Sequence, residues 1–209
     1  MSLRVKTFIL GPLQNNTYLL EDTHLHEGIV IDPSFEIEEL ISFAKEQKIK
    51  ITRVWLTHAH FDHFAGVFQL RETYPGLSTA LHSDDLFLWN QGGLSSLWNL
   101  PLNMDFTPDV SFTDGLELVL GENKFTVLHT PGHSPGHVVF YNQPISSVFC
   151  GDLILDQGVG RTDLPGGSKS ALQNSIMTKI FSLPPTTTLY SGHGPKTTVQ
   201  EEKAENPYL

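Results

Sequence analysis

Thr57-His58-Ala59-His60-Phe61-Asp62-His63 sets three imidazoles and one carboxylate within six consecutive positions. Neutral imidazole with carboxylate is a ligand set for Zn²⁺, Fe²⁺ or Mn²⁺. With 10 histidines in 209 residues, an H-x-H-x-D-H string arises by chance in on the order of one such chain in a thousand. The competing reading is a polar loop with stray histidines. It fails on energy, because titratable groups this dense repel or desolvate one another unless a cation sits between them.

Working outward, residues 51–56 read as a strand, and the string begins where that strand ends. In an extended backbone His58 and His60 point the same way, while Asp62 and His63 lie where the chain turns into a helix bearing Phe64, Val67 and Phe68. A strand end feeding a helix is a common place for a site. Upstream, residues 5–10 and 17–21 predict a hairpin with Gln14-Asn15-Asn16 in its loop, and 28–31 a buried strand stopped at Asp32-Pro33. Ile37, Leu40, Ile41 and Ala44 then mark one face of a surface helix. Downstream, 78–81 predicts a strand, followed by a helix that the Ser83 hydroxyl caps.

Residues 91–115 form the least regular stretch, broken at Gly92-Gly93, Pro101, Pro108 and Asp114-Gly115. It predicts a long surface segment. Trp89 or Trp98 either walls a site there or plugs the core, and the core is the expectation. Gly121-Glu122-Asn123 turns a hairpin between 116–120 and 125–128. Strands follow at 138–141, 147–150 and 188–191, and a helix at 168–181 with Leu172, Ile176 and Ile180 on one face. Strands and helices recur in two similar halves without a linker, so one compact domain over residues 1–209 is expected.

Composition narrows the partners. At 39% hydrophobic the chain can build a core, and a net charge of −10 with pI near 5.3 leaves no clustered Lys/Arg surface for nucleic acid or an anionic membrane. Cys150 is the one cysteine, so no intrachain disulfide forms and a reducing compartment fits. The apolar run after Met1 to Lys6 is too brief for a signal segment or a membrane span. Cytoplasm is the default location.

Four strand ends carry His or Asp beside Gly or Pro: 58–63, His133, Asp152 and His193. Gathered on one sheet edge, they approach the roughly seven ligands that two ions about 3.5–4 Å apart need with a shared carboxylate. Spacing alone leaves His129, His133 and His137 equivalent as the second group's ligand.

T-H-A-H-F-D-H at 57–63, H-T-P-G-H at 129–133, Gly151-Asp152 and the G-H-G at 192–194, in this order, resemble the metallo-β-lactamase-fold hydrolases. The resemblance covers essentially the whole chain, and the ending from Thr197-Thr198 to Asn206-Pro207-Tyr208-Leu209 is similar to that of the short glyoxalase II-like branch. It implies an α/β fold, a four-layer αββα sandwich with a binuclear site at one edge. By motif position His58, His60 and His133 would hold the first metal, Asp62, His63 and His193 the second, and Asp152 would bridge them. The resemblance implies two divalent ions, zinc first, with iron or a mixed iron and zinc pair as the alternative. His129 and His137 are then supporting residues, His24 and His26 solvated, His82 a strand-end histidine and Asp32 a turn former. Cys150 reads as a buried structural thiol.

Two departures narrow the branch. The β-lactamases of this fold usually place Cys where this chain has Asp152, which argues against antibiotic hydrolysis as the main activity. Full-length glyoxalase II carries a further helical domain after its last histidine that helps hold glutathione; here 16 residues follow His193, which puts glutathione specificity in question. Gly160-Arg161-Thr162-Asp163 resembles a segment shared by short glyoxalase II-like proteins and persulfide dioxygenases. Arg161 either meets a substrate carboxylate or pairs with Asp163 to pin a loop, and the pair is the expectation.

The function expected is hydrolysis of a small acyl thioester, S-lactoylglutathione or an analogue on another small thiol. A water held by the metals would lose its proton near pH 7 and attack the acyl carbon, oriented by Asp62, and the thiolate would leave unaided. The runner-up is a mononuclear iron persulfide dioxygenase on His58, His133 and Asp152. More distant are a phosphodiesterase or RNA-processing nuclease, disfavoured by the acidic balance, and a non-catalytic metal-binding module, disfavoured by the complete ligand set.

Overall fold

The computed structural model describes residues 2–209 other than 101 and 103, so Pro101, read above as a breaker, and Met1 lie outside the described residues. The first half builds a six-stranded sheet in chain order: β1 (Leu3–Leu10), β2 (Asn15–Asp22), β3 (Glu27–Ile31), β4 (Lys50–Trp55), β5 (Ser78–His82) and β6 (Val110–Phe112). β1 to β3 run antiparallel, whereas β3 to β6 run parallel. The second half supplies β7 (Glu117–Leu120), β8 (Asn123–His129), β9 (Val138–Asn142), β10 (Ser147–Gly151), a short β11 (Ile154–Leu155) and β12 (Gly158–Val159) pair, β13 (Thr188–Ser191) and β14 (Thr197–Thr198). Its main sheet has the order β14-β13-β10-β9-β8-β7.

Period-two alternation decides the layering. Tyr18, Leu20, Ile29 and Ile31 face Phe125, Val127, Phe140 and Phe149 between the sheets, while Leu19 and Val30, on the other face, join Leu40, Ile41 and Val67 under the helices α1 (Glu38–Glu46) and α2 (Val67–Thr73). Val139, Val148 and Cys150 lie on the far side of the second sheet with Leu172 of α4 (Lys169–Ser175) and Val199 of α5 (Val199–Glu205). Three buried layers between four structural layers make the αββα sandwich. The helix predicted after residue 83 is a 3₁₀ turn at Ser83–Asp85 running into α3 (Leu86–Asn90).

Two local expectations change. Asn15 and Asn16 lie in β2 and are buried, because Asn16 bonds to the Ser191 and Gly194 carbonyls of the other half. The cap of the 3₁₀ turn is His82, whose ring accepts the Asp84 N–H, not Ser83.

Strand direction sets the site. β3, β4 and β5 are parallel, so Asp32, the 57–63 string and Asp85 follow strand ends on one edge. β8 is antiparallel to β9, β9 to β10, and β13 is parallel to β10, so the segments after β8, β10 and β13 also share an edge. The two edges meet where the Val138 N–H donates to Thr57 O at 2.8 Å and the Asn16 N–H to Gly192 O at 2.6 Å. Gly151, at φ +48°, closes this seam: a Cβ there would run into the Thr57 hydroxyl.

Candidate metal centre

All seven residues singled out in the sequence converge on the joint edge. His58 Nε2 and His60 Nδ1 lie 3.2 and 2.8 Å from His133 Nε2. Three nitrogens around one tetrahedral zinc would be about 3.3 Å apart, given bonds of about 2.05 Å. A second group forms beside it: Asp62 Oδ2 lies 3.2 Å from His193 Nε2 and 3.6 Å from His63 Nε2. Asp152 stands between the groups, with Oδ1 3.5 Å from His63 Nε2 and Oδ2 3.7 Å from both His133 and His193.

The imidazoles are aimed by bonds at their far nitrogens. His63 Nδ1 donates to Asp32 at 2.9 Å, His133 Nδ1 to Arg161 O at 2.8 Å and His193 Nδ1 to Leu13 O at 3.1 Å. Thr57 gives its hydroxyl proton to Asp32 at 2.6 Å, so its oxygen accepts from His58 Nδ1 at 3.0 Å. Each of these four therefore presents the lone pair of Nε2 to the centre. Buried without partners there are His63 Nε2 and Asp152 Oδ1. Burying such atoms unpaired is costly, and a shared cation removes the cost. The clusters are thus suited to a dinuclear metal site.

Electrostatics agree for the first group. In the second, against the effect of burial, the Asp152 and Asp62 carboxylates push His63 well above its ordinary value and His193 up, so they favour positive charge there, which a metal cation would supply in place of protons. Burial and the neighbouring imidazoles push His60 down to about 3 and His58 well below its ordinary value, so both are neutral lone-pair donors at pH 7. Burial opposes charge at Asp152, yet His63 and His193 hold its carboxyl well below the carboxylate range.

Two carboxylates support the ligands: Asp32, read in the sequence only as a turn former, and Asp85, which the sequence reading passed over. Asp32 is a turn residue, at φ +49°, and it also accepts the Thr57 N–H at 2.8 Å and orients His63. Asp85, fully buried, accepts the Ala59 N–H at 2.9 Å, the Ser134 hydroxyl at 2.7 Å and the Gly136 N–H at 2.6 Å, tying the two ligand loops together. Both follow strands that end on the ligand edge, and that was the available signal. His137 packs its ring on His58 with centroids 5.2 Å apart. His82 and His129 stack 4.3 Å apart and 9° from parallel, so their lone pairs run side by side and the two rings form a packing pair.

A cavity of about 290 Å³ opens on the centre, lined by ligands and by Leu13, Phe61, Leu94, Trp98, Arg161 and Leu164. The two tryptophans part company: Trp89 is buried core, whereas Trp98 walls the cavity. Arg161 also lines it, with Nε and Nη2 bonded to Asp163 at 2.7 and 2.8 Å, so the predicted pair is present. Cys150 is fully buried and its thiol is pushed up by burial, as a structural thiol would be. Among the described residues no helix is long and apolar enough to cross a membrane.

Comparison with known proteins agrees with this architecture. The chain is 36% identical to hydroxyacylglutathione hydrolase GloC of Haemophilus influenzae over 210 residues, 99% of this chain and 98% of that protein. It is 31% identical to mitochondrial persulfide dioxygenase ETHE1 of Bos taurus over 92% of this chain and 70% of that protein. The B3 metallo-β-lactamase BLEG-1 superposes with a TM-score of 0.92 at 38% identity, covering 99% of each chain. TTHA1623 in a di-iron-bound form gives 0.88 at 40%, covering 98% of this chain and 100% of that one. The family model described as the metallo-beta-lactamase superfamily matches residues 10–193, and the chain belongs to that superfamily.

Proposed function

We propose that this protein is a metal-dependent hydrolase of small acyl thioesters. The observation that carries the reading is the pair of ligand groups joined through the Asp152 carboxylate, with buried lone pairs on both sides of it. His58, His60 and His133 would hold one ion, Asp62, His63 and His193 the other, and Asp152 both; zinc is the first candidate and iron the second. Two such ions would supply Lewis acidity, bringing the pKa of water towards about 7 and steadying charge on a carbonyl oxygen.

The chain's own groups supply orientation. Asp62 is buried, which opposes ionisation, but the neighbouring His63 and His193 hold its carboxyl low, so it is ionised at neutral pH and can accept a hydrogen from the attacking water. The cavity walls would cover one side of the acyl group and leave the other open to solvent. Outside the ligand cluster, Arg161 is the one charged side chain among the described lining residues. A thiolate leaves without a proton donor, and that matches this lining. The 36% identity to GloC across nearly both chains supports the same substrate class.

A second reading, a mononuclear iron persulfide dioxygenase on His58, His133 and Asp152, draws support from the similarity to ETHE1. It leaves Asp62 and the buried His63 Nε2 without a cation, and for that reason it ranks second. Protein purified without air and loaded separately with zinc and iron is assayed for S-lactoylglutathione cleavage and for oxygen uptake with glutathione persulfide. Thioester cleavage above the free-metal background supports the proposal, while oxygen uptake alone replaces it. Because BLEG-1 is named a β-lactamase, a β-lactam belongs in the same series as a control.

A further inference from the structure

We propose that the cavity selects thioesters by an apolar acyl group, and that Leu94 and Trp98 set the size of group it accepts. This rests on the thioester reading and deepens it. Leu13, Phe61, Leu94, Trp98 and Leu164 give the cavity walls an apolar character, and at about 290 Å³ it is at the small end of ligand cavities. The ligands form its floor. Outside the ligands the polar lining groups described are the Trp98 indole N–H and Arg161, whose guanidinium is engaged by Asp163 through two bonds. A lactoyl hydroxyl turned toward the side chains of Leu13, Leu94 and Leu164 therefore loses water without a replacement partner, whereas a methyl there does not.

This wall is indexed to the ligands. Gly93, at φ +60°, lies so close to the ligand loop that a Cβ would come within 2.5 Å of Phe61 N and 2.8 Å of Ala59 O. Those atoms belong to the backbone on either side of His60. Leu94 follows in the left-handed region at φ +66°, a strained state for a branched residue that persists only where the surroundings enforce it. Phe61, between the ligands His60 and Asp62, lies 5.2 Å from the Trp98 ring. The distance from ligand floor to apolar wall is thus set by packed backbone, so the wall side chains determine how long an acyl group fits. Each methylene buried there is worth about fourfold in affinity, whereas one hydroxyl in an apolar site shifts selectivity by up to about 100-fold.

The test holds the thiol carrier constant. The metal-loaded full chain is assayed with acetyl, propionyl, butyryl, hexanoyl and D-lactoyl thioesters of glutathione. In parallel, binding of the uncleavable S-methyl, S-propyl, S-butyl and S-hexyl glutathiones is measured by calorimetry. Expected are a kcat/KM rising about fourfold per methylene to a maximum, propionyl exceeding lactoyl, and the same increments in binding. Leu94→Gly, which also releases the backbone strain, and Trp98→Ala move the maximum to longer acyl groups with metal content unchanged.

Lactoyl equal to or better than propionyl and butyryl, or a flat series in both measurements, overturns the inference. So does a full wild-type maximum retained in both variants. Graded S-alkyl binding without cleavage of any thioester leaves the wall in place and removes the thioester reading instead. If neither variant folds, the wild-type series alone decides.

Discussion

The ligand edge and the cavity rim adjoin each other yet are built on opposite terms. At the edge, four imidazoles are aimed by hydrogen bonds at their Nδ1 atoms, and Asp32 and Asp85 tie the ligand segments to loops from both halves of the chain. At the rim, Leu97 is 64% exposed and the Arg161 and Asp163 side chains are 52% and 68% exposed. Exposed ion pairs contribute little, while a buried polar group left unpaired costs about 1–3 kcal/mol. The difference teaches where change is tolerated: the rim can be rewritten without unmaking the edge, and a change at the edge propagates through every bond that aims a ligand.

The largest break expected is at the shared carboxylate. Asp152→Ala removes the carboxylate that stands between the two ligand clusters. Elemental analysis should show at most one metal where the parent holds two, and thioester turnover should fall by more than the roughly 100-fold that supporting residues cost. Next comes Asp85→Ala, which strands three donors, at Ala59, Ser134 and Gly136. A stability loss of at least about 2 kcal/mol and a drop of about 10–100-fold in metal affinity should be seen by thermal melting and chelator competition. Asp85→Asn, which keeps an acceptor, should recover part of both. Asp32→Asn should weaken metal binding by about 10-fold, and here the ion beside His63 should leave first under chelator.

The smallest effect is expected at the rim, from Arg161→Ala. Metal content should stay unchanged and kcat/KM should move by less than about 10-fold, since exposed pairs are weak. Its pH signature is the sharper check. The Arg161 hydrogen bonds push Asp163 down to about 2, so the pair is intact above that value and is lost only as pH falls through it. The ratio of parent to variant kcat/KM should therefore be flat from pH 5 to 9. A slope across neutrality would show that the rim carries a titrating group that this contrast denies it.

The same division governs what could be read before the fold. The four layers came from the family resemblance, and the alternation of Leu19 against Leu20 and of Val139 against Phe140 gives their physical basis, because each face has its own burial. The 57–63 string is legible because its ligands are local. The supporting bonds of Asp32, read only as a turn former, and of Asp85 were missed because their partners lie 25 to 51 residues away and emerge only when strand directions bring the ends together. Asn15 and Asn16 carry loop chemistry in sequence, but pairing across the seam draws them into β2. Trp98 could not be separated from Trp89, since only packing against Phe61 assigns the one to the wall, and packing against Phe64 the other to the core.

The central claim is that two metals on these seven ligands cleave an acyl thioester. The most direct measurement is metal stoichiometry of protein purified without air, taken on the same sample whose thioester turnover and oxygen uptake are followed. The account predicts two ions per chain and thioester cleavage without oxygen consumption. One iron per chain with oxygen consumed on a persulfide, and no thioester cleaved, would contradict it.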